Sequence, residues 1–498
     1  MKFNRSGGIL LHPTSLPGQY GIGDLGPQAY RFVDWLASTG CKLWQILPLG
    51  PTGYGDSPYQ CFSAFAGSPY LISFDALIED GLLTRDDFAD MPSFNDSRVD
   101  FGLLIPWKLD LLKKAFSRLS SASKNFHEEF EQFCVENASW LDDYALFMSL
   151  KEANGGGAWS GWNKSLRNRE SLAMEKARKD HVESILRYSF YQFLFFRQWN
   201  KLRAYANEQD IKIIGDIPIF IAYDSADAWA HPDLFFLDED GLPTVVAGVP
   251  PDYFSATGQL WGNPLYKWDA HKKSRYAWWL ERFHSVLKFV DVVRLDHFRG
   301  FAGYYEIPYG APTAEKGQWV TGPGMEFFTT IAREFSESEN GTLPIIAEDL
   351  GVITPDVVEL RNGFNLPGMK ILQFGFTSPA DPFLPHNYIR NCVAYTGTHD
   401  NDTALGWFES APEKERKFAL RYLHSDGNDF AWDLIRGVWA SVAVYAITPM
   451  QDVLSLGTEA RMNFPSRLGG NWDWRMEEED ISDELAKRLR EFNELYLR

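Results

Sequence analysis

Three short segments of this chain each begin with an apolar run and reach a carboxylate residue at or just before their end. They run over residues 292–297, 345–349 and 395–400, and their acids include Asp296, Glu348 and Asp400. Each apolar run has the length of one strand. A strand followed by an acid, repeated along a chain, is typical of a parallel β/α barrel with carboxylates at the C-terminal ends of its strands. The pattern therefore predicts a fold and the end of the barrel that carries the chemistry.

Eight candidate strands support this interpretation. They cover residues 8–11, 43–47, 211–216, 291–296, 345–349, 369–376, 392–398 and 442–449. Several are almost continuously apolar, as parallel strands covered on both faces must be, and helical patterns such as residues 29–38 and 356–362 lie between them. We predict an α/β protein, a (β/α)8 TIM barrel with inserted, largely helical subdomains at the C-terminal rim. A short polar, helical tail follows the last strand, so no C-terminal β-domain is expected.

The spacing of these strands predicts where the insertions lie. We interpret residues 1–498 as a single catalytic barrel. About residues 60–205 form a helical subdomain between the second and third strands, including a long amphipathic stretch over 181–206. About residues 219–290 form an insertion between the third and fourth strands. Within it, residues 245–268 are rich in Gly, Pro and aromatic residues, which favours an irregular active-site loop.

The composition excludes several classes of partner. The formal net charge of −19 repels nucleic acid and anionic membranes. The aromatic content of 15% is high, and aromatic planes can bind the apolar C–H faces of sugar rings. The longest apolar stretch, residues 437–447, is too short to span a bilayer, and the N-terminal residues lack the apolar core of a signal peptide. The four cysteines show no metal-binding spacing. These features predict a soluble cytoplasmic protein with reduced thiols.

Asp296 and Glu348 are the first candidates for chemistry. Arg294 lies two residues before Asp296, so on a strand both side chains point the same way, and the guanidinium would lower the pKa of this carboxyl. An ionised carboxylate suits a nucleophile, although a structural ion pair would give the same pattern. Glu348 follows three apolar residues, and an apolar environment would raise its pKa, as a general acid requires. A buried, hydrogen-bonded acid without a catalytic role is the alternative for Glu348.

A third acid, Asp400, could bind the sugar ring rather than take part in cleaving the glycosidic bond. Asp400 could hold sugar hydroxyls and support the distortion toward an oxocarbenium-like state, with His297 and His399 donating hydrogen bonds beside it. A single histidine at such a place is more often structural. Two carboxylic acids on either side of one bond are the minimum for glycosidic bond cleavage, which is the reaction class that the three acids predict.

Other kinds of chemistry have weak support in the sequence. It contains no H-E-x-x-H motif, EF-hand loop or Gly-x-Ser-x-Gly elbow. The Gly-rich segment 50–56 lacks the Lys-Ser/Thr pair of a phosphate loop and reads as a turn. A metal site and a nucleotide site are therefore both weakly supported.

Several specific motifs resemble those of the 4-α-glucanotransferases (amylomaltases, or disproportionating enzymes) of glycoside hydrolase family 77, along nearly the whole chain. The motifs are HPTSLPG at 12–18, GDSPYQ at 55–60, GDIP at 215–218, PPDYFS at 250–255, WGNP at 261–264, RLDHFR at 294–299, AEDLG at 347–351 and GTHDN at 397–401. The resemblance implies Asp296 as nucleophile, Glu348 as acid/base and Asp400 as transition-state stabiliser. It also implies a retaining mechanism without metal or organic cofactor, with α-1,4-glucans as partners.

The resemblance further implies the residues that contact the sugar. The implied donor-side contacts are Arg294, His297 and His399, the implied groove residues are Ser57, Tyr59, Asp216, Trp261 and Asn463, and Tyr54 is an outlying contact. Within the loop 245–268 we expect Tyr253, Phe254 and Trp261 to form apolar platforms for the acceptor. Three alternatives remain: an α-amylase-type hydrolase, a non-catalytic glucan-binding protein, and a barrel enzyme for phosphorylated sugars, the last disfavoured by the acidic charge.

Overall fold

The computed structural model describes residues 3–251, 256–335, 343–467 and 469–498. Its strands are β1 (Ser6–Leu10), β2 (Leu43–Gln45), β3 (Lys212–Pro218), β4 (Val245–Val249), β5 (Gln259–Pro264), β6 (Val292–Asp296), β7 (Gly303–Pro308), β8 (Gln318–Thr321), β9 (Ile345–Ala347), β10 (Gly368–Ile371), β11 (Cys392–Tyr395) and β12 (Tyr445–Pro449). Its α-helices are α1 (Pro27–Ser38), α2 (Phe74–Glu79), α3 (Phe101–Ser117), α4 (Lys124–Glu136), α5 (Ala138–Ala153), α6 (Lys164–Arg167), α7 (Ser171–Asp180), α8 (Val182–Glu208), α9 (Ala226–Ala230), α10 (Trp268–Lys273), α11 (Ala277–Phe289), α12 (Gly324–Glu334), α13 (Pro355–Gly363), α14 (Ala404–Ser410), α15 (Glu413–Leu423), α16 (Phe430–Ala440), α17 (Met450–Val453) and α18 (Asp483–Tyr496).

Eight of these strands close into a parallel barrel. Their order around the barrel is β1-β12-β11-β10-β9-β6-β3-β2, and β2 pairs with β1 to complete the circle. Each predicted strand region overlaps one of these eight strands, so the prediction of a (β/α)8 barrel is confirmed. The described residues after β12 form α17, α18 and turns, without a further strand.

Alternating side chains along each strand separate two apolar cores. Ile214, Val292 and Ile346 belong to the cluster inside the barrel. Their neighbours Ile213 and Val293 belong to the larger cluster between the barrel and its helices. Because side chains on a strand alternate with a period of two, a residue two positions beyond an inward-facing one also faces inward. This parity directs the side chains at the C-terminal ends of β3, β6 and β9 toward the barrel axis.

Long connections follow β2 and β3. The segment between β2 and β3 contains α2 to α8, and the predicted helix over 181–206 is the 27-residue helix α8. No helix among the described residues is both long and apolar enough to cross a membrane.

A second sheet lies outside the barrel, and the sequence analysis did not predict it. Its four antiparallel strands have the order β5-β4-β7-β8. The segment 245–268 was interpreted as irregular, but it contains β4, β5 and the start of α10, so that interpretation is wrong for these strands. Its Gly and Pro residues obscure the alternating pattern, and a register shift between Val246 and Gly248 interrupts the pairing.

Candidate active site

The barrel geometry brings three of the predicted residues to one place. Asp216 lies two residues beyond the inward-facing Ile214, and Arg294 lies two beyond Val292. Asp216 and Arg294 are direct neighbours in the register of β3 and β6. Glu348 directly follows β9, two residues beyond the inward-facing Ile346. The inward parity of three neighbouring strands thus accounts for the cluster of charges at this end of the barrel.

Arg294 joins two carboxylates on neighbouring strands. Its Nη1 donates to Asp216 Oδ2 at 2.5 Å, and its Nη2 donates to Asp296 Oδ1 at 2.8 Å. Burial alone would lower the pKa of Arg294, but the negative charges of Asp216 and Asp296 raise it well above its ordinary value. The Asp216 side chain is fully buried, whereas 28% of the Asp296 side chain is exposed. Asp296 is therefore the carboxylate of this triad that a ligand can reach.

The Glu348 carboxyl accepts two main-chain hydrogen bonds. His297 N donates to Oε2 at 2.7 Å, and Leu350 N donates to Oε1 at 2.8 Å. His297 has a left-handed backbone with φ of 51°, at the turn that follows β6. Burial, and next the nearby negative charge of Asp296, raise the pKa of Glu348 to about 7. The predicted rise is present, and this carboxyl can hold a proton near neutral pH.

Asp349 points the opposite way, as a neighbouring residue with the other parity must. Its Oδ1 accepts from Met369 N at 2.7 Å, and its Oδ2 accepts from Arg361 Nη1. It ties the end of β9 to β10 and α13 and takes no part in the inward-facing cluster.

Asp400 is held by two polar side chains. Asn463 Nδ2 donates to its Oδ1 at 2.7 Å, and His399 Nε2 lies 3.3 Å from its Oδ2. Burial favours a higher pKa of Asp400, but the charge and hydrogen bond of His399 outweigh it and hold the pKa below its ordinary value. Burial of His399 favours a lower pKa of this residue, but the negative charge and the hydrogen bond of Asp400 raise it above its ordinary value. Asp400 is thus an ionised, half-exposed carboxylate with a fixed orientation.

Tyr59 connects this pair with the Arg294 triad. Its hydroxyl donates to Asp216 Oδ2 at 2.9 Å and lies 3.3 Å from His399 Nδ1. The rings of Tyr59 and His399 stack with their centroids 4.9 Å apart. Trp472 packs against both rings, with centroid distances of 5.9 Å to Tyr59 and 5.8 Å to His399. One continuous polar and aromatic wall therefore extends from Asp216 to Asp400.

The other predicted contacts are spread around this wall. Trp261 lies edge-to-face on His297 at 4.8 Å. His297 Nε2 is buried without a hydrogen-bond partner, and burial lowers the pKa of His297 to about 4. Ser57 Oγ accepts from Tyr59 N at 3.2 Å, which orients the turn that carries Tyr59. Tyr54 is 72% exposed, in keeping with an outlying position.

Some predictions fall outside what the structure describes. Tyr253 and Phe254 lie between the described ranges 3–251 and 256–335.

Among the described residues, no group of three or more His, Cys, Asp or Glu side chains has the geometry of a metal site.

Two site residues were missed by the sequence analysis. Arg461 Nη2 donates to Asp400 O at 2.6 Å, and its Nε donates to Asn463 O at 2.7 Å. Arg461 therefore connects the main chains of the two residues whose side chains are hydrogen-bonded to each other. Trp472 completes the aromatic wall described above. Both follow β12 in a stretch without periodicity. Their closeness in sequence to Asn463 is the one signal that could have suggested them.

Comparison with known proteins identifies the family. The family model described as 4-α-glucanotransferase matches residues 11–481. The chain belongs to the 4-α-glucanotransferase family. It is 51% identical to the 4-α-glucanotransferase of Thermus thermophilus over 98% of both chains, and 49% identical to that of Synechocystis over 99% of this chain and 98% of the relative. A solved amylomaltase of Streptococcus agalactiae, in complex with acarbose, is 42% identical with a TM-score of 0.95, covering 99% of each chain.

Membership in this family gives the enzyme class of the protein. The protein is a transferase of carbohydrate metabolism with a TIM barrel, which confirms the resemblance seen in the sequence motifs. The comparisons do not favour an α-amylase-type hydrolase or a non-catalytic binding protein.

Proposed function

We propose that the enzyme transfers segments of an α-1,4-glucan to the 4-hydroxyl of an acceptor glucan or glucose, with net retention at the anomeric carbon. The observation that carries this proposal is a pair of neighbouring carboxyls in different electrostatic environments. Asp296 is ion-paired with Arg294 and reachable from solvent, and Glu348 is buried with its pKa raised to about 7. Retaining glycosidases need this division between an ionised nucleophile and a protonated acid.

In the first step Glu348 acts as the acid. It transfers its proton to the glycosidic oxygen while Asp296 Oδ attacks the anomeric carbon from the opposite face. The bond between that carbon and the leaving oxygen breaks, and the reducing-end segment departs with a free 4-hydroxyl. A β-linked glycosyl ester on Asp296 remains.

In the second step Glu348 acts as the base. It removes the proton from the 4-hydroxyl of an acceptor, whose oxygen attacks the same carbon and displaces Asp296. Two inversions give net retention. In this mechanism the two carboxyl groups should lie about 5–5.5 Å apart, since a water molecule need not fit between the nucleophile and the sugar.

The remaining polar residues position the sugar at the point of reaction. Asp400 is ionised and half-exposed, so it can accept hydrogen bonds from sugar hydroxyls and stabilise positive charge on the ring. Asp216 Oδ1 and His297 Nε2 are buried without a hydrogen-bond partner, so a sugar hydroxyl can bond them once the side chains that cover them move. We assign Asp400 as transition-state stabiliser. We assign sugar contacts to Tyr54, Ser57, Tyr59, Asp216, Tyr253, Phe254, Trp261, Arg294, His297, His399 and Asn463.

The maltotriose assay tests this function directly. Pure enzyme incubated with maltotriose should produce glucose together with longer maltodextrins, because each transferred segment lengthens an acceptor. A hydrolase would instead produce only sugars shorter than the substrate. A binding protein would retain maltotriose unchanged.

The pH dependence of kcat/KM should report the protonation state of Glu348. The reaction needs its protonated form, so kcat/KM should fall as the pH rises through about 7, the value set by burial and by Asp296. Initial rates of glucose release from maltotriose, measured between pH 5 and pH 9 at constant ionic strength, give the profile. A rate that stays constant from pH 6 to pH 9 would remove this carboxyl from the role of acid.

Trp261 should help to select sugar over water in the second step. It lies edge-to-face on His297 beside the acid, so an acceptor sugar packed on it would exclude water. We expect Trp261→Ala to raise the ratio of hydrolysis to transfer by about tenfold, which corresponds to a loss of about 1.4 kcal/mol of acceptor binding. Reducing-end formation measured against glucose release gives the ratio. Trp261→Phe is the matched control, and an unchanged ratio in the Ala variant would exclude this residue from the selection.

The cellular setting and domain organisation belong to the same proposal. The net charge of −19 supports neutral glucans, rather than nucleic acid or membranes, as partners. The four cysteines form no disulfide in the described residues, which fits a cytoplasmic location. We treat residues 1–498 as one catalytic barrel with insertions over about 60–205 and 219–290, in agreement with the order of strands and helices.

A further inference from the structure

One tryptophan differs from all the others in its exposure. The chain has 18 tryptophans, and Trp319 is the one among the described residues that is more than a third exposed, at 45%. It lies on β8, at the edge of the second sheet. A single exposed aromatic ring is not by itself a binding site, so the surroundings of Trp319 decide what it can bind.

The Trp319 ring has a fixed orientation. The Arg299 guanidinium carbon lies 3.9 Å from the centroid of the indole. The ring of Tyr305, directly opposite in the β7–β8 register, meets the indole edge-to-face at 5.2 Å. A cation over one face and an aromatic neighbour in T-shaped contact restrict the indole, so packing a flat ligand on its other face would cost little side-chain entropy.

Contacts of Arg299 place this ring beside the catalytic loops. Arg299 follows Asp296 by three residues, and its Nη1 donates to the carbonyl oxygen of Val352, four residues after Glu348. Three residues span at most about 11 Å, so Arg299 lies close to the proposed nucleophile. The Val352 side chain is itself exposed and adds apolar surface to the same rim. The exposed ring of Trp319 therefore lies on the side of the barrel rim formed by the loops after β6 and β9.

We propose that Trp319 binds the part of a long α-1,4-glucan that extends beyond the catalytic groove on this side of the rim. This inference rests on the proposed function, because a polymeric substrate must leave the groove across the neighbouring surface. A flat, preorganised aromatic surface fits the apolar C–H face of a glucose ring. The net charge of −19 disfavours nucleic acid and anionic membranes as occupants of the same ring.

Chain length separates this role from a purely structural one. A maltotriose molecule bound across the reacting bond has few sugar units to reach the rim, whereas amylose has many. We expect Trp319→Ala to raise the KM for amylose by about three- to tenfold, the range of a single aromatic contact, with the kcat/KM for maltotriose unchanged within twofold. Trp319→Phe should retain most of the amylose affinity. Leu172→Ala, at an exposed apolar residue on α7, is the control variant.

Binding without turnover supplies an independent measurement. Affinity electrophoresis in gels that contain amylose should show less retardation for Trp319→Ala than for the unmodified enzyme, even if maltotriose were not converted. An equal loss of activity on maltotriose and amylose would overturn the proposal, since Trp319 would then act through Arg299 on the loop after Glu348. Unchanged amylose KM and unchanged retardation would overturn it as well. Failure of the maltotriose assay in the unmodified enzyme would instead refute the proposed function.

Discussion

Replacing Glu348 by Gln lowers the turnover of maltotriose by about 10³–10⁴-fold, the expected contribution of an acid and base at a glycosidic oxygen. The amide oxygen can still accept one of the two hydrogen bonds that His297 N and Leu350 N donate to the separate carboxyl oxygens, but the amide cannot deliver a proton. The loss of one main-chain hydrogen bond costs stability, so turnover is compared per folded molecule. Initial rates of glucose release measure it, with circular dichroism as the check that the variant is folded.

The leaving group shows whether the lost function is proton donation. Fluoride leaves without protonation, so α-maltotriosyl fluoride should react in the first step almost as fast with Glu348→Gln as with the unmodified enzyme. The control is Asp349→Asn, which changes the adjacent carboxyl that faces Arg361 and Met369. It should lower stability and leave turnover per folded molecule largely intact. Equal loss of activity toward maltotriose and the fluoride would reject the assignment of Glu348 as acid.

Replacing Asp296 by Ala should be at least as damaging, with a loss of on the order of 10⁴-fold or more, since the covalent path is then closed. The variant also leaves Arg294 with Asp216 as its remaining carboxylate partner among the described residues. Asp296→Asn, which keeps the shape and a hydrogen-bond acceptor for Arg294, is the matched variant. Comparable losses in both would show that charge and nucleophilicity matter rather than packing.

A small external nucleophile should rescue the Ala variant in a diagnostic way. Azide can occupy the space of the missing carboxylate, attack the anomeric carbon of α-maltotriosyl fluoride and release fluoride. The product should be the β-maltotriosyl azide, with inverted configuration, because azide replaces the enzyme nucleophile on its own face of the ring. Formation of the α-azide, or rescue in Asp400→Ala instead, would place the nucleophile elsewhere.

Strand parity explains why the central acids were predictable from the sequence. Short apolar runs identify strands, and a period of two then fixes which residue after each run faces the barrel axis, as for Arg294, Asp296 and Glu348. The raised pKa of Glu348 follows from the same apolar run. These conclusions need only local sequence and the closure of one parallel sheet.

Other parts of the site depend on contacts that no local pattern encodes. Asn463 was predicted through the family resemblance alone, whereas Trp472 and Arg461 reach Asp400 and Tyr59 from an irregular segment after β12. The second sheet was missed because short strands with Gly residues and a register shift carry little periodicity. Tertiary pairing, rather than propensity, determines these elements.

The most direct test of the two-carboxylate mechanism is to trap the glycosyl-enzyme. Glu348→Gln should react with α-maltotriosyl fluoride through Asp296 but lack the base for the second step, so the ester should accumulate. Mass spectrometry of the intact protein and of its peptides measures the result. We predict one added maltotriosyl group, on the peptide that contains Asp296. Fluoride release without any adduct, or an adduct on a different residue, would contradict the mechanism.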